Sequence, residues 1–178
     1  IIKKYKPSIM QTTPSIWNVL LDHLIDGEHK FSQILCGGEE ISCSLAEKLV
    51  LIANKLWNCY GPTETTIWSS ICVLNSAEYQ RTPAIGRPLD NNKFYIVDAK
   101  NQTLEPGVIG EIVISGEAVS KGYLSPDENK FVQMFDQRVY KTGDLGFYDE
   151  NGVCYYLGRN DSQLKVNGHR IEVAELNH

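Results

Sequence analysis

Phe31-Ser32-Gln33-Ile34-Leu35-Cys36-Gly37-Gly38 decides the reading of the first half of this chain. A compact apolar run stopped by paired glycines is the pattern of a buried strand that ends in a turn. Working outward, Ser8–Thr12 reads as a short strand after Pro7. Pro14 and Ser15 then open a helix whose apolar face is Ile16, Leu20 and Leu24, with Val19 and Leu21 beside it, ending at Gly27. On the other side, Ser44 caps a second helix running to about Asn54, with Leu45, Leu49 and Ile52 on one side, and Leu56–Tyr60 is a third strand. Strand, helix and strand in alternation predict a parallel α/β layer.

Near Pro83 the hydrophobic period changes to two. Lys93–Asp98, Glu111–Ser115, Val139–Lys141 and Gly152–Leu157 read as short strands, separated by turn sequences such as Glu105-Pro106-Gly107 and Asp149-Glu150-Asn151-Gly152. One helix, from about Pro126 to about Phe131, interrupts the series. The polar step Arg159-Asn160-Asp161-Ser162 is a natural hinge, and Gln163–Asn167 reads as a last strand. The expected fold class is α/β plus antiparallel β, a parallel layer followed by a small distorted β-barrel. The expected parts are residues 1–82, 83–158 and 159–178.

Composition narrows the function classes. The chain has 178 residues, 42% of them hydrophobic and 22% charged, as soluble globular domains do. Its apolar runs, such as Leu49–Ala53 and Val153–Leu157, fall far short of the roughly 20 residues of a membrane-spanning helix. A formal net charge of −5 argues against non-specific nucleic-acid binding. Cys36, Cys43, Cys59, Cys72 and Cys154 form no CxxC pair and sit beside no histidine cluster. They read as small buried hydrophobes in a reducing, cytoplasmic protein rather than as a disulfide or zinc framework. The chain has no initiating Met and no leader-like start, and Ile1–Tyr5 resembles the tail of an earlier element. A piece of a longer polypeptide is expected.

Three segments carry candidate chemistry. In Asn58-Cys59-Tyr60-Gly61-Pro62-Thr63-Glu64-Thr65-Thr66 a strand ends, a glycine turns, and Pro62 can start a helix. Hydroxyls and amides at such a start can cradle phosphate, with magnesium between phosphate and the Glu64 carboxylate. The same residues also fit an ordinary helix capped by Thr63. In Tyr140-Lys141-Thr142-Gly143-Asp144-Leu145, a carboxylate past a strand and a glycine can accept hydrogen bonds from vicinal hydroxyls, or simply be a solvated turn residue. In Tyr155-Tyr156-Leu157-Gly158-Arg159-Asn160-Asp161, Tyr156 can pack on a sugar or ring and Arg159 can meet a phosphate. The turn Gly37-Gly38-Glu39-Glu40 has neither a GxGxxG form nor a P-loop lysine.

Together these segments resemble the adenylate-forming enzymes, and most nearly the adenylation domains of nonribosomal peptide synthetases. The resemblance is carried by Tyr60–Thr66, by Gly110–Gly116 with Lys121-Gly122-Tyr123-Leu124, by Tyr140–Leu145 and by Gly158–Glu172, in the family's order. It implies ATP- and Mg²⁺-dependent conversion of a carboxylic acid to an acyl-adenylate, with release of pyrophosphate. The acyl group would then pass to the phosphopantetheine thiol of a carrier protein. It further implies that Tyr60 stacks on adenine, Thr63 contacts the α-phosphate and Glu64 holds magnesium. Asp144 would bind the ribose hydroxyls, Tyr156 would lie near the ribose, and Arg159 would assist at ribose or phosphates. Gly38, Glu39, Cys59 and Gly61 join the implied nucleotide contacts. Asp161 would be the hinge, and Gly168 would lie on the loop that meets the thiol arm.

The family's side-chain pocket maps to Gln11, Leu35, Gly37, Cys59, Ile67 and Trp68. With the large Trp68 ring in it, glycine is the expected substrate and alanine second. The family's upstream phosphate loop and its lysine near the C-terminus lie outside these residues, so the isolated chain is expected to be inactive. An acyl- or aryl-CoA ligase of the same superfamily and a non-catalytic docking module are the competing readings.

Overall fold

The computed structural model describes residues 2–24, 29–74, 83–124 and 130–160, and the backbone of 163–166 and 169–172. Two compact units divide the chain. Unit 1 holds Ile1–Cys59, Cys72–Ala84 and Gln163–His178, and unit 2 holds Tyr60–Ile71 and Ile85–Ser162.

Unit 1 follows the alternation read from the sequence. A short helix α1 (Ile2–Tyr5) precedes β1 (Ile9–Thr12), α2 (Pro14–Leu24), β2 (Phe31–Gly37), α3 (Cys43–Leu51) and β3 (Ala53–Tyr60). β1 and β2 pair in parallel with Gln11 opposite Leu35, and β2 and β3 pair in parallel with Gly37 opposite Cys59. Trp17, Leu21 and Leu24 of α2 and Leu45, Ala46 and Leu49 of α3 are buried with Phe31, Ile34, Cys36 and Leu56. The Trp17 and Phe31 rings meet edge to face, 5.7 Å between centroids.

Local details of unit 1 depart from expectation. The buried stripe of α2 is Trp17–Leu21–Leu24, whereas Ile16 and Val19 are 50% and 67% exposed. Two apolar stripes overlap on this helix, and the one with the indole ring buries more surface. The cap of α3 is Ser42, whose Oγ accepts the Leu45 N–H at 3.2 Å, and not Ser44. This helix stops at Leu51 rather than Asn54, because Ala53 is already a ladder partner of Phe31. The expected end of α2 at Gly27 lies outside the described residues. In the last stretch of the unit, β11 (Gln163–Val166) and β12 (His169–Glu172) pair antiparallel.

Unit 2 is antiparallel. Ser70 and Ile71 of β4 (Ser70–Leu74) pair with Pro88 and Arg87 of β5 (Ala84–Pro88). β6 (Asn92–Val97), β7 (Gly110–Gly116), β8 (Phe131–Met134), β9 (Gln137–Tyr148) and β10 (Cys154–Arg159) follow. Their order is β5-β10-β9-β7-β6, with β8 on β9. One cluster buries Tyr60, Ile85, Phe94, Ile96, Ile112, Ile114 and Cys154, and a smaller one Val97, Val113 and Val139.

Two expectations change here. The distorted sheet is not closed into a barrel: among the described strands β6 pairs with β7 alone, so the order ends there. The strand read as Val139–Lys141 runs for 12 residues, because β7 pairs along one edge while β8 and then β10 pair along the other. The helix expected at Pro126 lies mostly outside the described residues, and Phe131, its expected end, instead opens β8 opposite Tyr140. No described helix is long and apolar enough to cross a membrane.

Candidate functional site

The first candidate segment forms a tightly closed loop in unit 2. The Ser69 N–H donates to the Tyr60 carbonyl at 2.8 Å, bringing the two ends together. A Cβ at position 61 would stand 2.5 Å from the Ile67 carbonyl oxygen and 2.7 Å from the Ser69 nitrogen, so this close approach requires Gly61. Pro62 precedes a single 3-10 turn, Thr63–Thr65, where a longer helix was expected. No side chain caps it, so the Thr63 cap does not form. The turn ends because Thr66 and Ile67 adopt φ of 61° and 69°, outside the helical region.

The three threonines of this loop do different things. Thr65 is buried, with its hydroxyl 2.5 Å from that of Ser69 and 3.2 Å from the Pro62 carbonyl. The Thr66 hydroxyl donates to the Ala118 carbonyl at 2.9 Å. Thr63 is exposed, and among the described residues no partner for its hydroxyl is present. Glu64 is 7% exposed. Its Oε1 accepts from the Tyr123 hydroxyl, and its backbone carbonyl accepts from the Ser120 N–H at 2.8 Å.

Asp144 lies inside β9, not past a strand end, and two irregularities aim it. The β7–β9 register slips between Glu111 and Val113, and the β10–β9 register slips between Tyr156 and Gly158. Gly143, at φ 75°, lets the strand bulge, and bulges of this kind redirect side chains beside functional sites. Thr142 Oγ1 donates to the Ile112 carbonyl at 2.6 Å and accepts the Asp144 N–H at 2.9 Å. Glu111 accepts the Gly143 N–H at 3.0 Å and pairs with Lys141 at 3.3 Å.

The Asp144 carboxylate is then held from two sides. The Tyr60 hydroxyl donates to Oδ2 at 2.6 Å, and Arg159 Nη1 meets Oδ1 at 2.7 Å. Tyr156 is half-buried with its ring 6.1 Å from that of Tyr60 and tilted 39°, and Phe94 meets Tyr60 edge-on at 6.0 Å. Tyr60, Tyr156, Asp144 and Arg159 thus form one cluster of unit 2, drawn from β3, β9 and β10.

The remaining candidates divide between the units. Gln11, Leu35, Gly37, Gly38, Glu39 and Cys59 belong to unit 1, and Ile67 and Trp68 to unit 2. In unit 1, Gln11 and Leu35 are ladder partners, as are Gly37 and Cys59. Gly38 takes φ 89°, and Glu39 Oε2 accepts from both the N–H (3.1 Å) and the hydroxyl (2.5 Å) of Ser15, at the start of α2. In unit 2, Trp68 is half-buried and precedes β4, and Ile67 is 64% exposed. Asp161 and Gly168 lie outside the described residues.

Burial decides the behaviour of the thiols and of Tyr60. Cys59 is pushed up to about 11 and Cys154 to about 12 by burial, and Cys36 is raised further by burial and by Cys59. The Tyr60 phenol is raised well above its ordinary value, by burial first and then by the charge of Asp144. The folded chain therefore holds protons that the unfolded chain releases above about pH 8.5 for thiols and 10 for tyrosine. With more protons bound in the native state, stability is fully present below about pH 8.5 and falls as pH rises towards the folded values. Thermal melts are expected to show a lower Tm at pH 10.5 than at pH 7.5, and native thiol labelling should spare Cys36, Cys59 and Cys154. Equal melting at both pH values would contradict this.

A family model described as AMP-binding enzyme matches residues 1–124. The chain belongs to the AMP-binding enzyme family. This AMP-binding chain is 40% identical over 185 residues to tyrocidine synthase 2 of Brevibacillus parabrevis, covering 99% of the chain and 5% of that protein. It is 34% identical over 183 residues to a dimodular nonribosomal peptide synthase of Bacillus subtilis (strain 168), covering 99% of the chain and 8% of the relative. Among solved structures, holo-PA1221, a synthetase protein with adenylation and carrier domains, superposes with TM-score 0.90 at 30% identity. There 98% of this chain and 32% of that one are covered. The four-domain synthetase AB3403, bound to AMP and glycine, superposes with TM-score 0.82 at 35% identity, over 98% of this chain and 14% of that one. The AMP-binding chain thus corresponds to a fragment of an adenylation domain and spans a small part of the synthetases it matches.

Glu111, Thr142, Tyr123 and Arg138 support the site without having been expected there. Gly143 inside a β pattern was the available signal for a bulge beside Asp144. Nothing local announces the contacts of Tyr123 with Glu64 and of Arg138 with Ser120 and Lys121, which join segments distant in sequence.

Proposed function

We propose that this chain is the nucleotide-holding part of an adenylation domain that activates a small amino acid with ATP, glycine favoured and alanine second. The domain would form an aminoacyl-adenylate, release pyrophosphate and pass the aminoacyl group to the phosphopantetheine thiol of a carrier protein. The observation that carries this reading is the Asp144 carboxylate, gripped by Tyr60 and Arg159 beside Tyr156. A paired carboxylate with both oxygens fixed is suited to receive two vicinal ribose hydroxyls. Tyr60 and Tyr156 supply ring surface for the nucleoside, Thr63 offers its hydroxyl to the α-phosphate, and Arg159 adds charge next to the ribose. Gly38, Glu39, Cys59 and Gly61 complete the nucleotide contacts in this reading. Cytoplasmic location goes with it.

Attack of a carboxylate on a phosphate brings two anions together, so alignment and charge neutralisation matter more than a general base. Mg²⁺, when bound, would supply part of that neutralisation. Among the described residues no three His, Cys, Asp or Glu side chains converge on a cage. A single carboxylate, Glu64, fits an ion that takes one or two protein carboxylates and fills its shell with water and substrate phosphates. Asp161 as hinge and Gly168 at the thiol arm belong to the 159–178 segment, the start of the smaller subdomain in this reading.

Glycine is favoured because the family resemblance assigns Gln11, Leu35, Gly37, Cys59, Ile67 and Trp68 to substrate side-chain recognition, and the bulk of the Trp68 indole argues for a small side chain. The AlmE adenylation domain of Vibrio cholerae, solved with glycyl-adenosine-5'-phosphate, superposes with TM-score 0.89 at 25% identity. The test is ATP–pyrophosphate exchange by the complete adenylation domain that carries this chain, over a panel of amino acids. Glycine is expected to give the highest exchange, and Trp68→Ala to admit larger side chains. Strongest exchange with a large side chain, or a profile unchanged by Trp68→Ala, would remove the glycine assignment. Thioester formation on coenzyme A rather than on a carrier thiol would favour a CoA ligase.

A further inference from the structure

Glu64 is held by a strap that no nucleotide contact accounts for. Residues 116–123 of unit 2 cross its turn and are fastened there by three hydrogen bonds. The Thr66 hydroxyl donates to Ala118 O, Ser120 N–H donates to Glu64 O, and the Tyr123 hydroxyl donates to Glu64 Oε1. Arg138, on β9, also secures the strap: its guanidinium donates to the carbonyls of Ser120 and Lys121. That guanidinium also lies 4.7 Å over the Phe131 ring, and Phe131 in turn meets Tyr123 edge-on at 5.3 Å. The path Arg138–strap–Tyr123–Glu64 therefore fixes one carboxylate from two elements far apart in sequence.

We infer that Tyr123 is a positioning residue that orients the Glu64 carboxylate for a divalent cation, with Arg138 anchoring the strap that presents it. A phenol bonded to a carboxylate is a charge-assisted contact, and partners of this kind tune metal-binding carboxylates through orientation. Arg138 can serve two carbonyls at once because its guanidinium is a planar fork, which a lysine does not reproduce. The inference rests on the reading that Glu64 holds Mg²⁺, and the experiment separates the two.

Equilibrium binding of ATP, with and without Mg²⁺, and of AMP would be measured on the complete adenylation domain for wild type, Glu64→Gln, Tyr123→Phe and Arg138→Lys. Tyr123→Phe is expected to raise the Mg²⁺ concentration at half-effect by about tenfold. It should leave AMP binding and Mg²⁺-free ATP binding unchanged. Arg138→Lys should move the same quantity in the same direction, by less. If Glu64→Gln leaves the Mg²⁺ dependence intact, the metal reading of Glu64 fails. If Glu64→Gln shifts it and Tyr123→Phe does not, or if Tyr123→Phe weakens AMP binding equally, the positioning inference fails by itself.

Discussion

Replacing Arg159 by Met is expected to destabilise the adenylation domain by about 3 kcal/mol and to weaken its hold on ATP. The Arg159 and Asp144 side chains are only 12% and 5% exposed, with nitrogen and oxygen 2.7 Å apart. Methionine preserves most of the length but withdraws the guanidinium's charge and hydrogen bond from a carboxylate that stays buried beside Tyr60. Removing one member of a buried pair costs more than removing both, since the remaining charge is left uncompensated. The Asp144→Asn/Arg159→Met double variant should therefore melt above the Arg159→Met single variant. Chemical or thermal unfolding of the four forms in a double-mutant cycle measures this coupling, and losses that simply add would refute it.

Gly61→Ala carries the second large effect. The added methyl would press on backbone atoms, with Ile67 O at 2.5 Å, Ser69 N at 2.7 Å and Trp68 Cα at 3.0 Å. No flexible side chain is available to yield. The loop would have to open at the Ser69 N–H to Tyr60 O bond, disturbing the Thr65–Ser69 hydroxyl pair and the Thr63–Glu64 turn together. A loss of roughly 1–3 kcal/mol follows from overpacking alone, and ATP binding should fall further because the turn moves. A melt and a binding isotherm unchanged by Gly61→Ala would show that the loop is not closed as described.

How much of this was legible in the sequence depended on where each decision was made. The parallel layer of unit 1 was readable because apolar runs and Gly, Pro and Ser signals lie next to each other in sequence. The phase of α2 was not, since Ile16 and Trp17 both offer an apolar stripe and contact with Phe31 selects the second. The length of β9 was hidden because Thr142, Gly143 and Asp144 read as a turn, whereas pairing on both edges extends the strand through them. The open edge at β6 is likewise a tertiary outcome. Tyr60, Asp144, Tyr156 and Arg159 could be named in advance through family resemblance. Their convergence depends on two register slips; Gly143 signals the β9 bulge, whereas the β10 slip between Tyr156 and Gly158 follows from pairing with a distant strand.

The ribose of ATP is expected to bind at the Asp144 cluster. Comparing the affinity of the complete domain for ATP and for 2′,3′-dideoxy-ATP, in wild type and in Asp144→Asn, tests it most directly. The wild type is expected to bind ATP at least about tenfold more tightly than the dideoxy analogue, as hydrogen bonds to a charged group would give, and Asp144→Asn to lose that preference. Equal affinity of the wild type for both nucleotides would contradict it.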